Sequence, residues 1–226
     1  MFSLFGPVHI TTLCIIATTS FTTIHLYRTT CDKTQKTIRQ LLAICCLISY
    51  PLHLTLALIA ENALSLENKV PFHLCDLAAI ICGAALLTQR SRLCELAYFW
   101  GLAGTLQGLL TPNLTSTFPS PAFFSFFWNH GFVVVAALFI PLAIKWRPEK
   151  HALWRVFAIT QIYVVLAMSL NFLLKTTNYG FLHHKPEQAS LLDLFPAWPW
   201  YILLLEFICL LLFLLLNLPF SLKSQK

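Results

Sequence analysis

The sequence predicts an all-α membrane protein, a single bundle of seven transmembrane helices with its N-terminus outside and its C-terminus in the cytosol. Three observations carry this prediction. Of 226 residues, 58% are hydrophobic and only 11% are charged, with a mean hydropathy of +0.72. Soluble domains carry roughly 25% charged residues, and a soluble core of this size has no room for so much apolar surface. Seven apolar runs stand out, each near the ~20 residues that cross ~30 Å of hydrocarbon. Lys and Arg alternate between successive loops in the manner that sets orientation. The runs are continuous and lack strict alternation, which argues against a β-barrel.

The first run, Val8–Tyr27, follows a start with no Lys or Arg from Met1 to Ile10, so it does not read as a signal peptide. The second is Leu41–Ala60. The third, Phe72–Leu87, is the shortest, and Pro71 before it suits a first helical position. The fourth is Leu93–Leu110, the fifth Phe124–Ile144, the sixth Leu153–Leu174 and the seventh Trp200–Leu218. One set of loops holds Arg28, Lys33, Lys36, Arg39, Arg90, Arg92, Lys145, Arg147, Lys150, Arg155, Lys223 and Lys226; the other holds only Lys69, Lys175 and Lys185. This split of 12 against 3 alternates through all seven spans. It places the cation-poor loops outside. It also accounts for the net charge of +6 without a nucleic-acid partner, since no basic helix face carries interleaved aromatics.

The outer loops are Glu61–Pro71, Thr111–Phe123 and Lys175–Pro199, with Trp198 and Trp200 placed for an interfacial aromatic belt. None of them holds two of the eight cysteines, so no structural disulfide is implied. There is no internal repeat to support an inverted-repeat transporter. His183-His184 lacks a companion ligand at metal-site spacing, and no metal or other cofactor is expected.

Polar residues inside spans mark functional candidates. At ~1.5 Å of rise per residue, His9, His53, His73, Cys75, Asp76, Gln107, Asn129, His130, Asn171 and Glu206 all fall in the outer half of the membrane. Two readings stand side by side: interhelical hydrogen bonds, or one polar cavity open outward. In Pro71-Phe72-His73-Leu74-Cys75-Asp76, Cys75 falls near a helix N-terminus, which biases a thiol toward thiolate. His73 and Asp76, three apart, can pair on one face, so a base for Cys75 has to come from another helix. His130 has the matching depth. A Cys with a distant His is a layout for thiol acyl chemistry. An apolar filler or a proton-moving Asp–His pair fits the same motif. The stretch from Asn178-Tyr179 through Lys185-Pro186 and Ser190 to Trp200-Tyr201 reads as an interfacial loop or as a lid, with Lys185 free to hold an anionic headgroup.

These residues carry a resemblance. His73-Leu74-Cys75-Asp76 after Pro71, the step Asn129-His130-Gly131, and the chain of Asn178-Tyr179, Lys185-Pro186 and Pro196-Ala197-Trp198-Pro199-Trp200-Tyr201 resemble the YwaF-like bacterial membrane proteins, which look related to the eukaryotic transmembrane protein 164 family. The resemblance runs from Phe5-Gly6 to the last helix. It implies a seven-helix membrane protein and, by analogy with the eukaryotic relatives, a phospholipid acyltransferase that carries its acyl group on a membrane cysteine. That cysteine is then Cys75, with His130 as partner; His73, Asp76, His53, Gln107, Asn129, Asn171, Asn178, Tyr179, Lys185 and Glu206 support or bind, and membrane lipids are the substrates. The alternative is a small-solute or proton-coupled transporter using the same cavity, with Asp76 and Glu206 coupling protons. A seven-helix receptor would need a cytosolic partner, and the inner loops are short.

Overall fold

The computed structural model describes residues 2–61, 67–186 and 191–221, and among these there are helices and no strand. Ser190, Lys223 and Lys226 lie outside the described residues. Helix α1 spans Pro7–Thr29 and begins on a proline, whose missing N–H would have no partner there anyway. Helices α2 (Asp32–Leu47) and α3 (Ser49–Glu61) follow each other with a bend of 41°. Pro51 has no N–H to give the carbonyl four residues back, and such a gap kinks a helix. Near the break, the Cys45 carbonyl accepts from the Ser49 hydroxyl and from the Trp128 indole at 3.0 Å.

The second segment thus starts at Asp32, well before the expected Leu41. Hydropathy missed these turns because Lys33 and Lys36, exposed, and Arg39, half-buried, occupy them. Asp32 in the first turn complements the helix dipole.

Helix α4 is Leu74–Thr88, with Ala78, Ala79, Cys82 and Ala85 buried. Such small side chains let neighbouring helices approach closely. The fourth segment is one helical run in three parts: α5 (Ser91–Phe99), a π-helical stretch Trp100–Thr105, and α6 (Leu106–Leu110). Helix α7 is Pro121–Leu142, capped by the Ser120 hydroxyl, which accepts from the Phe123 N–H at 3.2 Å. Helices α8 (Ala152–Leu174) and α9 (Trp200–Ser221) complete the bundle.

Among the described residues α1, α7, α8 and α9 are long and apolar enough to cross a membrane, and the bent α2–α3 pair is a fifth such segment. The α4 helix is apolar and shorter. Helix α7 runs through the middle, with 67% of its apolar window buried, against 11% for α1 and 17% for α9. The two ends of the bundle differ in chemistry. At one end lie the N-terminus, joined to the second loop by the Phe2 N–H and the Thr115 carbonyl, and the loops around Glu67, Thr111 and Phe181, which meet at one cavity. At the other end Arg155 makes a two-pronged contact with buried Glu95 at 2.6 and 3.0 Å, and Arg92 and Arg155 both reach Glu149. There Arg39 also donates to the Leu86 and Leu87 carbonyls.

Candidate functional site

The loop-bearing end opens into a cavity of about 630 Å³, within the ~300–1,000 Å³ of small-molecule sites. Its polar lining includes His53, His73, Cys75, Asp76, Gln107, Asn129, His130 and Glu206; deeper in, Leu205, Ile208, Leu212 and Phe213 make it apolar. Eight of the twelve residues singled out from sequence therefore share one space, and among the described residues no Lys or Arg lines it. Among the described residues there is no cluster of three metal-ligating side chains, and all eight cysteines are free.

Cys75 lies in the first turn of α4, on the cavity wall. Cys46 and Cys82 differ in kind: both are buried, and their thiols donate to the α7 carbonyls of Phe132 and Val133, the behaviour of small core residues.

His130 projects from α7 into the same cavity. Its Nδ1–H donates to the Phe126 carbonyl at 2.9 Å, and its ring stacks on Phe126 with centroids 3.9 Å apart. A carbonyl can only accept, so Nδ1 carries the proton and Nε2 keeps its lone pair. Space for the ring comes from Gly108, where a Cβ would stand 2.6 Å from Cδ2 and 2.8 Å from Nε2 of His130. His9 shows the opposite arrangement. It is fully buried, its Nδ1 accepts from the Phe5 N–H at 3.0 Å and its Nε2–H donates to the Leu109 carbonyl at 2.8 Å. Both nitrogens are engaged, so His9 fastens α1 to α6 and has no free lone pair.

Asp76 accepts from the Asn129 amide at 2.8 Å. This bond joins α4 to α7 at the residues next to Cys75 and His130. The other Asn129 amide atom, Oδ1, is buried and unpartnered. The amide cannot turn round, because that would set its oxygen against a carboxylate. The expected pairing of His73 with Asp76 is replaced. His73 is the N-cap residue of α4, in extended backbone, and its Nε2 meets Glu67 at 3.0 Å. Leaving the helical path at the cap turns the ring toward the loop. Partial burial works to raise the Glu67 pKa, but the bond to His73 and its charge outweigh it and hold the carboxyl below its usual range.

His53 bonds the Ser125 hydroxyl at 3.3 Å. Glu206 accepts from Gln161 of α8. Gln107 lines the cavity from α6.

Four predicted residues work elsewhere, because their polar atoms bond locally. Asn171 is buried and brackets the third loop: its Oδ1 accepts from the Tyr179 N–H at 2.8 Å and the Thr177 hydroxyl, and its amide donates to the Tyr179 carbonyl. Asn178 gathers the chain around His183 and His184. Tyr179 is buried, edge-on to His73, with its hydroxyl on the Glu67 carbonyl at 3.4 Å. Lys185 donates to the Phe195 carbonyl at 2.8 Å and sits over the Tyr201 ring. Its ammonium closes the loop and is not presented to the cavity for a headgroup.

Sequence reasoning missed Glu67 and Ser125. Glu67 was legible only as a loop carboxylate, and the Gly101-Gly104-Gly108 spacing was the available sign of close packing in the fourth segment. The profile of the TMEM164 family matches residues 4–217. No curated protein and no solved structure matches the chain.

Proposed function

The chain belongs to the TMEM164 family, and from that premise we propose that this multi-pass membrane protein is a lipid transacylase that carries an acyl group on Cys75. One observation supports the reading above others: a thiol and a histidine with its Nε2 lone pair free line the same cavity, polar at its mouth and apolar beyond. Nε2 of His130 takes the thiol proton, and the Cys75 sulfur attacks the ester carbonyl of a membrane phospholipid. A C–S bond forms, the ester C–O bond breaks, and the proton passes from His130 to the departing lysolipid oxygen. A lysophospholipid hydroxyl then attacks the thioester, gives its proton to Nε2, and the sulfur recovers it. The acyl chain lies along Leu205, Ile208 and Leu212. The Gln107 carboxamide supplies a donor for the oxyanion, while Asp76 and Asn129 hold α4 and α7 at a fixed spacing.

The test is to incubate purified protein with a phospholipid carrying a labelled acyl chain and to follow intact mass. A hydroxylamine-sensitive acyl adduct on wild type, absent from Cys75→Ser and slowed at least tenfold in His130→Ala, is the expected result. A wild type that forms no adduct and exchanges no acyl chains refutes the reading. Transport by the same cavity finds less support, because Phe99, Phe139 and Ile140, on segments that run from the cavity-lining residues toward the basic end, are fully buried.

A further inference from the structure

We propose that a groove on α1 at the basic end of the bundle binds one acidic phospholipid from the leaflet at that end; the inference is independent of the transacylase reading. The groove is a second and more open hollow, of about 440 Å³, lined by Phe21, Ile24, His25, Arg28 and Thr29 of α1 and by Leu142 at the end of α7. The five α1 residues lie three and four apart, which sets them on one helix face. Tyr27, between them in sequence, packs edge-on against Phe139 of α7 with ring centroids 4.8 Å apart. That contact fixes this part of α1 against α7.

The chemistry of the groove changes along the helix axis. Phe21, Ile24 and Leu142 are apolar, and Arg28 follows one to two turns beyond Ile24 and Phe21. With 23 residues at ~1.5 Å each, α1 is about 34 Å long, more than the ~30 Å of hydrocarbon, so its last turn reaches headgroup depth. Arg28 is unspent there. Arg39 donates to the Leu86 and Leu87 carbonyls, and Arg92 and Arg155 are held by Glu149 and Glu95. Arg28 is exposed and, among the described residues, makes no hydrogen bond or ion pair. One turn deeper, the His25 ring stacks on Phe21 with 10° between the planes, and neither of its nitrogens has a polar partner among the described residues. The Thr29 hydroxyl donates to the His25 carbonyl at 2.9 Å, so the free donors are those of Arg28 and His25. A phospholipid presents the matching order, acyl chain and then phosphate. A guanidinium takes a phosphate through two parallel N–H bonds, and the His25 ring adds a third donor. Lys33 and Lys36, exposed at the start of α2, raise the positive potential, which favours a headgroup of net negative charge. A second copy's α1 would bring no counter-charge to Arg28, because α1 contains no Asp or Glu.

The experiment measures lipid held by the full-length protein. Protein in mild detergent is titrated with phosphatidylglycerol and, separately, with phosphatidylcholine, and bound lipid is read by native mass spectrometry. Wild type should hold one phosphatidylglycerol about tenfold more tightly than phosphatidylcholine. Arg28→Gln, on an exposed helix face, should remove most of that preference, and Phe21→Ala should weaken the binding of both lipids. Lys33→Gln, outside the groove, should change the preference by no more than about twofold, as a screened charge does. A photoreactive phosphatidylglycerol should label α1 within residues 21–29. A preference that survives Arg28→Gln, or that falls as far in Lys33→Gln, overturns the proposal, and so does labelling confined to other segments. Displacement of the lipid by millimolar inorganic phosphate would make this a site for free anions, and a dimer that forms through α1 and excludes lipid would give the groove to a second copy; either result overturns the proposal as well.

Discussion

The Asn129 amide donates to the Asp76 carboxylate at 2.8 Å while its own Oδ1 stays buried and unpaired. One side chain thus carries a strong bond and an unmet acceptor together. A hydrogen bond to a charged group contributes ~1.5–3 kcal/mol, and an unpaired buried acceptor costs ~1–3 kcal/mol. Asn129→Leu removes both and also takes from the Asp76 carboxylate its donor, so its net loss should be about 1–3 kcal/mol. Asn129→Asp sets a second carboxylate against the first and should destabilise far more, with Asp76→Asn recovering much of it. Unfolding midpoints in detergent check the order. A leucine variant as unstable as the aspartate variant contradicts this account.

Gly108→Ala should separate catalysis from folding. The new Cβ would stand 2.6 Å from Cδ2 of His130, and that ring is held by the Phe126 carbonyl and ring. The imidazole must leave its place. The proposed acyl transfer should fall at least tenfold, as misplacing a catalytic group by about 1 Å does, with a small change in thermal midpoint. Gly104→Ala is the comparison: its Cβ meets the flexible end of Leu74 at 3.0 Å, so activity should survive. Equal losses in the two variants would remove His130 from the mechanism.

Much of this site could be read from sequence because adjacent residues carried it. Cys75 and Asp76 are neighbours, as are Asn129 and His130, so placing two helices at one depth placed four side chains. Polarity alone, however, does not reveal where a polar group finds its partner. Asn171, Asn178 and Lys185 looked like cavity residues and instead bond within the third loop. His9 spends both nitrogens on backbone. Nor does one inserted residue alter composition or hydropathy, and the π stretch Trp100–Thr105 left no mark in the sequence. The early start of α2 at Asp32 was hidden for a related reason: its first turns are charged, and an apolar count begins only where they end.

The mouth should loosen in acid. Glu67 is held below the ordinary glutamate value of 4.5 by His73. A group whose folded pKa is depressed adds stability above its unfolded pKa, and loses it as pH falls through the folded value. The contact should therefore persist at neutral pH and open in the window below about 4.5. Amide exchange of residues 67–76 against pH measures this. Wild type should show an acid-limb rise that Glu67→Gln lacks; identical limbs in the two proteins would detach the mouth from this pair.

The basic end supplies a prediction about stability alone. Glu95 is almost fully buried and takes both prongs of Arg155 at 2.6 and 3.0 Å. Its other cation, Arg92, is exposed and 4.0 Å away, too far to replace a two-pronged bond. Arg155→Met therefore strands a buried carboxylate, which costs roughly 3–5 kcal/mol. Glu149 is not stranded with it, because it is half exposed and keeps Arg92 at 3.4 Å. Arg155→Lys should recover only part, since an ammonium lacks the planar fork. Glu95→Leu combined with Arg155→Met should regain most of the loss, because an apolar pair leaves no charge uncompensated. Thermal midpoints of the three variants and wild type decide the matter. If the double variant is no more stable than Arg155→Met, the stranded charge is not the cause. Since this cluster lies at the opposite end from the cavity, acyl transfer by the folded fraction should stay unchanged throughout.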